Sequence, residues 1–347
     1  MTQLPASDLD HILEHTREHW EQMRGEQLFL TGGTGFFGCW LLESFLCANE
    51  KLKLGARATV LTRYPQAFIV KAPHLAQAES VTLLEGDVRS FTFPAGTFSH
   101  VIHAATEASA QLNNGNPLLM LDTIVEGTRH TLEFASQSGA KKFLLTSSGA
   151  IYGKQPATMT HISEDYPGAP DPHDPKSAYG QGKRMAEHLC SLYAQQTSME
   201  SKIARCFAFV GPYLPLDRHF AIGNFIRDAM SGGPIIIKGD GTPQRSYLYA
   251  ADLAIWLWTI LFEGKALRPY NVGSDQSLSI AEVAHCVADQ IHEKIIIEIS
   301  KTANINRTVE RYIPDTSRAQ MELNLETHIA LPTSIMNTMK WADQYKP

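Results

Sequence analysis

The sequence predicts an open, doubly wound parallel α/β sheet with a smaller lobe added toward its C-terminal end. Three observations carry that expectation. Short apolar runs of strand length alternate with stretches of helical period through the first half of the chain. The first run leads directly into Gly32-Gly33-Thr34-Gly35-Phe36-Phe37-Gly38, which holds the spacing Gly-x-Gly-x-x-Gly from Gly33 onward. The later part is less regular and is broken at Pro212, Pro215 and Gly232-Gly233-Pro234.

Composition sets the outer limits. The chain has 347 residues, 44% apolar and 19% charged, which excludes a disordered polymer. At roughly 150 residues per domain this allows two domains, or one with a lobe. Thirty basic against 36 acidic residues leave a net charge of −6 with no basic block, so no nucleic-acid partner is expected. Five scattered cysteines suit neither a disulfide framework nor a metal site, and a reducing, cytoplasmic setting is expected. Asp8, Asp10, Glu14, Arg17, Glu18 and Glu21 argue against a secretory signal. The longest apolar stretch, Leu253 to Phe262, is well short of the ~20 residues needed to cross a bilayer, so no membrane partner is expected.

The elements follow in order. Ser7 to Met23 reads as one amphipathic helix capped by Ser7, with Leu9, Ile12, Leu13 and Trp20 near one face. Gln27 to Thr31 reads as a buried strand. The helix after the glycine run presents Trp40, Leu41, Leu42, Phe45 and Leu46. Further strands are predicted at Ala58–Leu61, Val81–Leu84, His100–Ala104 and Phe143–Thr146, with a helix over Pro117–Ser136. A helix over Tyr179–Ala194 and a strand over Ile203–Phe209 follow. Then come strand Ile235–Ile237, helices Ala251–Phe262 and Ile280–Ile291, and strand Ile295–Ile299. The predicted organisation is a helical extension (1–25), a dinucleotide-binding domain (26–211 and 239–264) and a substrate lobe (212–238 and 265–347).

Three patterns carry chemistry. A glycine run between a strand and a helix allows a tight turn and close approach of a pyrophosphate to the helix N-terminus. Tyr179 and Lys183, four residues apart, share a helix face, so the ammonium is expected to lower the phenol pKa and ready it for proton transfer. Ser148, in Thr146-Ser147-Ser148-Gly149-Ala150-Ile151-Tyr152-Gly153, falls at the carboxyl end of a strand, where open α/β sheets hold their ligands.

In this order and spacing the motifs resemble the extended short-chain dehydrogenase/reductases, the NAD(P)-dependent nucleotide-sugar epimerase/dehydratase group with a Rossmann sheet. The resemblance covers most of residues 26–347. Gly86-Asp87-Val88, His103-Ala104-Ala105, Gly239-Asp240-Gly241 leading to Arg245, Asn271-Val272-Gly273 and Asp315-Thr316-Ser317-Arg318-Ala319 add to it. It implies that Tyr179 is the acid/base and that Lys183 holds the nicotinamide ribose and tunes the tyrosine. Ser148 would bond the sugar oxygen. The cofactor would lie against Gly32, Gly33, Gly35, Phe36, Phe37 and Gly38, with Asp87 and Val88 flanking the adenine and Ala104 and Ala105 along its backbone. Arg245, and Arg311 as a second clamp, would grip a nucleotide diphosphate.

Departures from the pattern narrow the reading. Dehydratases of this group place Asp-Glu directly after the catalytic Ser/Thr, and the related decarboxylases use a Glu at the second position. Here those positions are Gly149 and Ala150. Glu107 is a candidate acid from elsewhere, or a solvated loop charge. Ile124 replaces the family's Asn three residues before Gly127, and Ala208 replaces the Asn after Arg205-Cys206-Phe207. At the end of the second strand, where NAD-selective members carry an acid, stand Thr62 and Arg63, favouring NADP with NAD possible. The expected activity is NADPH-dependent reduction of a keto group, at C4, of a nucleotide-linked deoxysugar. A 4-epimerase is the first alternative, a 4,6-dehydratase the second, and a non-catalytic NADP sensor the third. Leu118, Leu121, Val125 and Leu132 form a stripe on a helix that pairs subunits in the resembling family, so a homodimer is expected.

Overall fold

The computed structural model describes residues 2–106, 110–218, 220–291, 294–304 and 308–344. Seven strands form one sheet: β1 (Gln27–Thr31), β2 (Arg57–Thr62), β3 (Val81–Glu85), β4 (His100–His103), β5 (Lys142–Ser148), β6 (Glu200–Cys206) and β7 (Pro269–Val272). Their spatial order is β7-β6-β5-β4-β1-β2-β3, and every pairing is parallel. The chain winds outward from β1 to β3, then returns to β4 on the other side of β1. That reversal opens a crevice at the carboxyl ends of β1 and β4. In register, Thr31 faces Leu61 on one side and His103 on the other, and Ser148 faces Cys206.

Helices cover both faces, which is why the strands read as near-continuous apolar runs. The principal ones are α1 (Ala6–Thr16), α2 (Phe36–Lys51), α3 (Pro117–Gln137), α4 (Ala178–Ala194) and α5 (Ala250–Glu263). Leu28, Leu30, Val60, Ile102 and Leu144 point into a core shared with α1, α2 and α5. Phe29, Leu61, Val101, Phe143 and Leu145 point to the opposite core under α3 and α4. α5 is buried from Ala250 through Phe262, as a helix apolar on all sides must be. It lies between the sheet and α1, so the N-terminal segment completes the core. Trp20 is fully buried, its ring 4.6 Å from that of Trp258.

The structure corrects several boundaries. The predicted helix Ser7–Met23 is α1 followed by a 3-10 turn over Arg17–Met23, and Pro5, not Ser7, precedes its first turn. The Thr16 hydroxyl donates to the Ile12 carbonyl at 2.6 Å and accepts the Trp20 indole N–H at 2.9 Å, which tightens the chain there. β6 ends at Cys206, and Phe209–Val210 instead pairs with Leu248–Tyr249. The helix starting at Ile280 ends at Ala288; Ser279 and Glu282 form a reciprocal cap at its start. β7 falls in the segment expected to belong to the lobe, yet it forms an edge of the main sheet.

The lobe has its own core around Ile222, Phe225, Ile226, Ile235, Val283, Val287 and Ile335. Three short strands beside it, Gln244–Arg245, Leu278–Ser279 and Arg311–Tyr312, pair side by side, with Gln244 opposite Arg311 and Arg245 opposite Tyr312. That pairing carries two arginines and a tyrosine toward the end of β5. Among the described residues no helix is long and apolar enough to cross a membrane, and no group of three or more His, Cys, Asp or Glu could hold a metal ion.

Candidate active site

The glycine turn is closed by contacts that only glycine permits. Gly32 adopts φ +74, and a Cβ there would lie 2.5 Å from the Ala104 carbonyl carbon. A Cβ on Gly38 would sit 2.3 Å from the Gly33 Cα. Gly35 N–H donates to Gly32 O at 3.1 Å, and α2 starts at Phe36 with no side chain capping its first turn. The free N–H groups therefore face the crevice, and the residues present suit a dinucleotide pyrophosphate. Lys71 also reaches this turn, its ammonium 2.7 Å from Thr34 O, a contact with no motif in the sequence to announce it.

Around the crevice, Ala104 and Ala105 are held by β1: their N–H groups donate to Thr31 O at 3.2 Å and Thr31 Oγ1 at 3.1 Å. His103 is buried between Thr31 Oγ1 at 2.9 Å and Thr128 Oγ1 at 3.1 Å, and burial pushes its imidazole down to about 3. Asp87 is gripped by Arg89 at 2.9 and 3.0 Å, which pulls its carboxyl down to about 2. Val88 packs on Gly127, whose Cβ would come within 2.8 Å. Thr62 is buried at the end of β2, and Arg63, exposed, lies 5.7 Å over the Tyr64 ring.

Ser148 ends β5. Its Oγ accepts the Ala150 N–H at 3.2 Å, and its side chain lies near enough to the Tyr179 hydroxyl to favour the phenolate. Lys183, one turn further along α4, is almost fully buried. It donates to Thr146 O at 2.7 Å and Thr106 Oγ1 at 2.9 Å, with its nitrogen 5.9 Å from the centre of the Tyr179 ring. The structure thus brings Ser148, Tyr179 and Lys183 together. It overturns the expected electrostatics, however. Burial pushes the Tyr179 phenol up to about 12 and the Lys183 ammonium down to about 8. Loss of water outweighs the nearby Ser148, which favours the phenolate, so Tyr179 rests as a neutral phenol.

A second layer fixes this group. Arg205 forms a paired contact with Glu187 at 2.8 and 3.0 Å, and Ser147 donates to Glu187 at 2.5 Å. Arg205 also donates to the Tyr152 hydroxyl at 2.9 Å, which donates to Asn271 Oδ1 at 2.7 Å. The turn after Ser148 is thereby tied to α4, β6 and β7. Ile124 fills the space behind Gly182, where a Cβ would come within 3.0 Å of it.

A cavity of about 460 Å³ is lined by Gly153, Lys154, Gln155, Arg245, Glu310, Arg311 and Tyr312. It holds both predicted arginines. Arg245 is ion-paired with Glu310, while Arg311 Nε donates to Gln244 Oε1 at 2.9 Å. Lys154 and Tyr312 line it too, and the motifs pointed to neither. Cys206, likewise unannounced, faces Ser148 across the β5–β6 register. Gly149 is enclosed: a Cβ would lie 2.6 Å from the Phe207 ring and 2.8 Å from the Tyr312 hydroxyl. Glu107 lies outside the described residues.

Residues 28–273 match the NAD dependent epimerase/dehydratase family. The chain belongs to that family. It is an enzyme of the short-chain dehydrogenase/reductase type. It is 30% identical over 306 residues to UDP-glucuronic acid decarboxylase 6 of Arabidopsis thaliana, covering 88% of this chain and 85% of the relative. The fold matches UDP-N-acetylglucosamine 4-epimerase from Methanobrevibacter ruminantium M1, with TM-score 0.79 and 18% identity over 93% of this chain and all (100%) of that one. It also matches DesIV, a dTDP-glucose 4,6-dehydratase of Streptomyces venezuelae solved with NAD bound, with TM-score 0.75, 20% identity and coverages of 92% and 97%. In this member of the epimerase/dehydratase family the glycine turn follows β1, Ser148 ends β5, and Tyr179 and Lys183 lie on α4.

Proposed function

We propose that the protein reduces a keto group, at C4, of a nucleotide-linked deoxysugar with NADPH. The observation that carries this reading is the combination of an assembled Ser148–Tyr179–Lys183 group with closed space at Gly149. Dehydration and decarboxylation in the resembling enzymes rest on carboxyl side chains after the serine. Here Ala150 has none, and a side chain on Gly149 would collide with Phe207 and Tyr312. What is left is proton transfer to a carbonyl oxygen, which the neutral Tyr179 phenol suits.

In this reading the glycine turn and α2 hold the pyrophosphate, Lys183 the nicotinamide ribose, and Arg245 and Arg311 the substrate diphosphate. Bound NADPH would supply the hydride. Ser148 orients the carbonyl oxygen, Tyr179 gives its hydroxyl proton to that oxygen, and Lys183, protonated below about 8, offsets the resulting phenolate charge. Arg245 must exchange Glu310 for the diphosphate. NADP over NAD is supported by Thr62 and Arg63, with no carboxylate from Thr62 to Pro65 to repel a 2′-phosphate.

A homodimer through α3 and α4 is part of the proposal. Leu118 on α3 and Met185 and Leu192 on α4 are exposed, while Leu121 and Val125 are half-buried. Leu132, the last of the predicted stripe, packs instead in the protein's own core. The test of the activity is a coupled assay with a nucleotide-linked 4-keto-6-deoxysugar and, separately, a plain nucleotide-hexose. Net NADPH oxidation with the keto sugar supports reduction. Conversion of the plain hexose without net oxidation would favour the epimerase or dehydratase alternatives.

A further inference from the structure

Residues 2–16 precede the stretch 28–273 that matches the family, yet they touch the places where the chain passes between sheet and lobe. The exit follows β6. Phe209–Val210 pairs in parallel with Leu248–Tyr249, where the chain returns, so the two crossings run side by side. Just past the exit stands Tyr213 at φ +69, a left-handed conformation that a bulky residue rarely adopts. Its hydroxyl donates to Glu43 Oε1 on α2 at 2.6 Å and lies 3.1 Å from Thr2 O. The same carboxylate oxygen accepts the Leu4 N–H at 3.1 Å and lies 2.8 Å from His74 Nε2. On the return, the Tyr249 hydroxyl donates to Asp8 Oδ2 at 2.7 Å. Glu43, Tyr213, Asp8 and Tyr249 are all buried. A third tie runs through Asp252 on α5. One of its oxygens lies 3.2 Å from His11 Nε2 on α1; the other accepts the His328 and Ile329 N–H groups at 3.0 Å each, at the approach to helix Leu331–Asp343. That helix gives Leu331, Ile335 and Met339 to the lobe core and sets the Trp341 ring 4.8 Å from that of Tyr213.

Apolar packing of Leu9, Ile12 and Leu13 would seat α1 on the core with no buried carboxylate at all. The carboxylates present are matched instead to one tyrosine at each crossing, which makes the contact directional. We propose that residues 2–16 are a strap that positions the lobe against the sheet, with Tyr213 and Tyr249 as its positioning residues. Arg245 lies four residues ahead of Tyr249 on the returning stretch, and its strand pairs with the one carrying Arg311. A strap that holds Tyr249 therefore holds both arginines of the cavity in place. None of these ties involves the glycine turn, so cofactor binding is spared. The effect on substrate rests on the reading that a nucleotide-linked sugar fills that cavity; the effect on the lobe does not.

The test is hydrogen exchange read by mass spectrometry on the full chain, for wild type and the double variant Y213F/Y249F, with calorimetric titration of NADPH, UDP-glucose and dTDP-glucose beside it. Each substitution removes a hydroxyl and keeps the ring, and unchanged exchange in β1 and β4 checks the fold. Y213F alone keeps the Asp8 pair and carries the same test if the double variant does not fold. The expected result is exchange about tenfold faster in the lobe helices Ala221–Met230 and Ile280–Ala288, the equivalent of one lost hydrogen bond, with affinity for the nucleotide sugars lowered about tenfold and that for NADPH unchanged. Faster exchange confined to residues 2–16, or spread equally over β1 and β4, would overturn the strap, as would an unchanged lobe. Faster lobe exchange with unchanged nucleotide-sugar affinity would overturn its link to the cavity. Wild type that binds neither nucleotide sugar would overturn the nucleotide-sugar reading, and the exchange result would still decide the strap.

Discussion

Tyr179 makes the sharpest claim at the scale of single residues. Its phenol, held near 12, keeps its proton through the physiological range and can give it to a developing alkoxide. Tyr179→Phe should lower turnover by about 10²-fold or more while leaving cofactor affinity unchanged, read by steady-state kinetics beside fluorescence titration of NADPH. Turnover near wild type would remove Tyr179 from the proton step. Arg63→Ala should erode a preference for NADPH over NADH of about 1–3 kcal/mol, the size of a charge-assisted hydrogen bond. An unchanged ratio of kcat/KM for the two cofactors would separate Arg63 from the 2′-phosphate. The glycines at these positions were legible because their demand is local. A turn with φ +74 at Gly32 favours glycine over residues that carry a Cβ. Tyr312 was not legible, because its approach requires a distant strand to pair with Arg245 and a bare Gly149 to make room.

At the scale of elements, the strands and helices that position the site carried strong periodic signals, and those that failed did so for tertiary reasons. β7 is four residues long, opens on a proline and contains Asn271. That side chain is satisfied by Tyr152, by Ile162 O at 2.8 Å and by Asp315 O at 3.0 Å, partners that sequence alone does not supply. α1 was overextended because the Thr16–Trp20 contact that tightens it depends on Trp20 being drawn into the core against Trp258. α3 and α4 leave Leu118 exposed at 72% and Met185 at 45%, large for apolar groups on neighbouring helices. The double substitution Leu118→Glu, Met185→Glu should convert a dimer to a monomer at micromolar concentration, measured by light scattering. A wild-type monomer, or an unaffected dimer in the variant, would contradict an interface on these helices.

At the scale of the whole molecule, two buried histidines at the ends of β4 make stability depend on pH. Burial holds His100 near 4 and His103 near 3, against an ordinary value of 6.5. The unfolded chain therefore binds protons at these residues between about pH 6.5 and their folded values, and the folded chain does not. Their contribution is full above pH 6.5 and is lost as pH falls below it, by about 1.4 kcal/mol per unit for each group. The melting temperature should fall from pH 7.5 to 5, and less steeply in His103→Asn, which keeps a polar partner for Thr31 and Thr128 without titrating. Parallel slopes would show that His103 is not a source of the acid sensitivity.

In the proposed reading the crevice at the β1–β4 reversal takes the cofactor, and the cavity holding Arg245 and Arg311 takes the substrate diphosphate. Whether the hydride leaves the cofactor for good decides the reaction. The direct measurement is absorbance at 340 nm with a nucleotide-linked 4-keto-6-deoxysugar, with product counted in parallel. One NADPH oxidised per sugar reduced is the predicted result. Conversion of a plain nucleotide-hexose with no net loss of NADPH would contradict it.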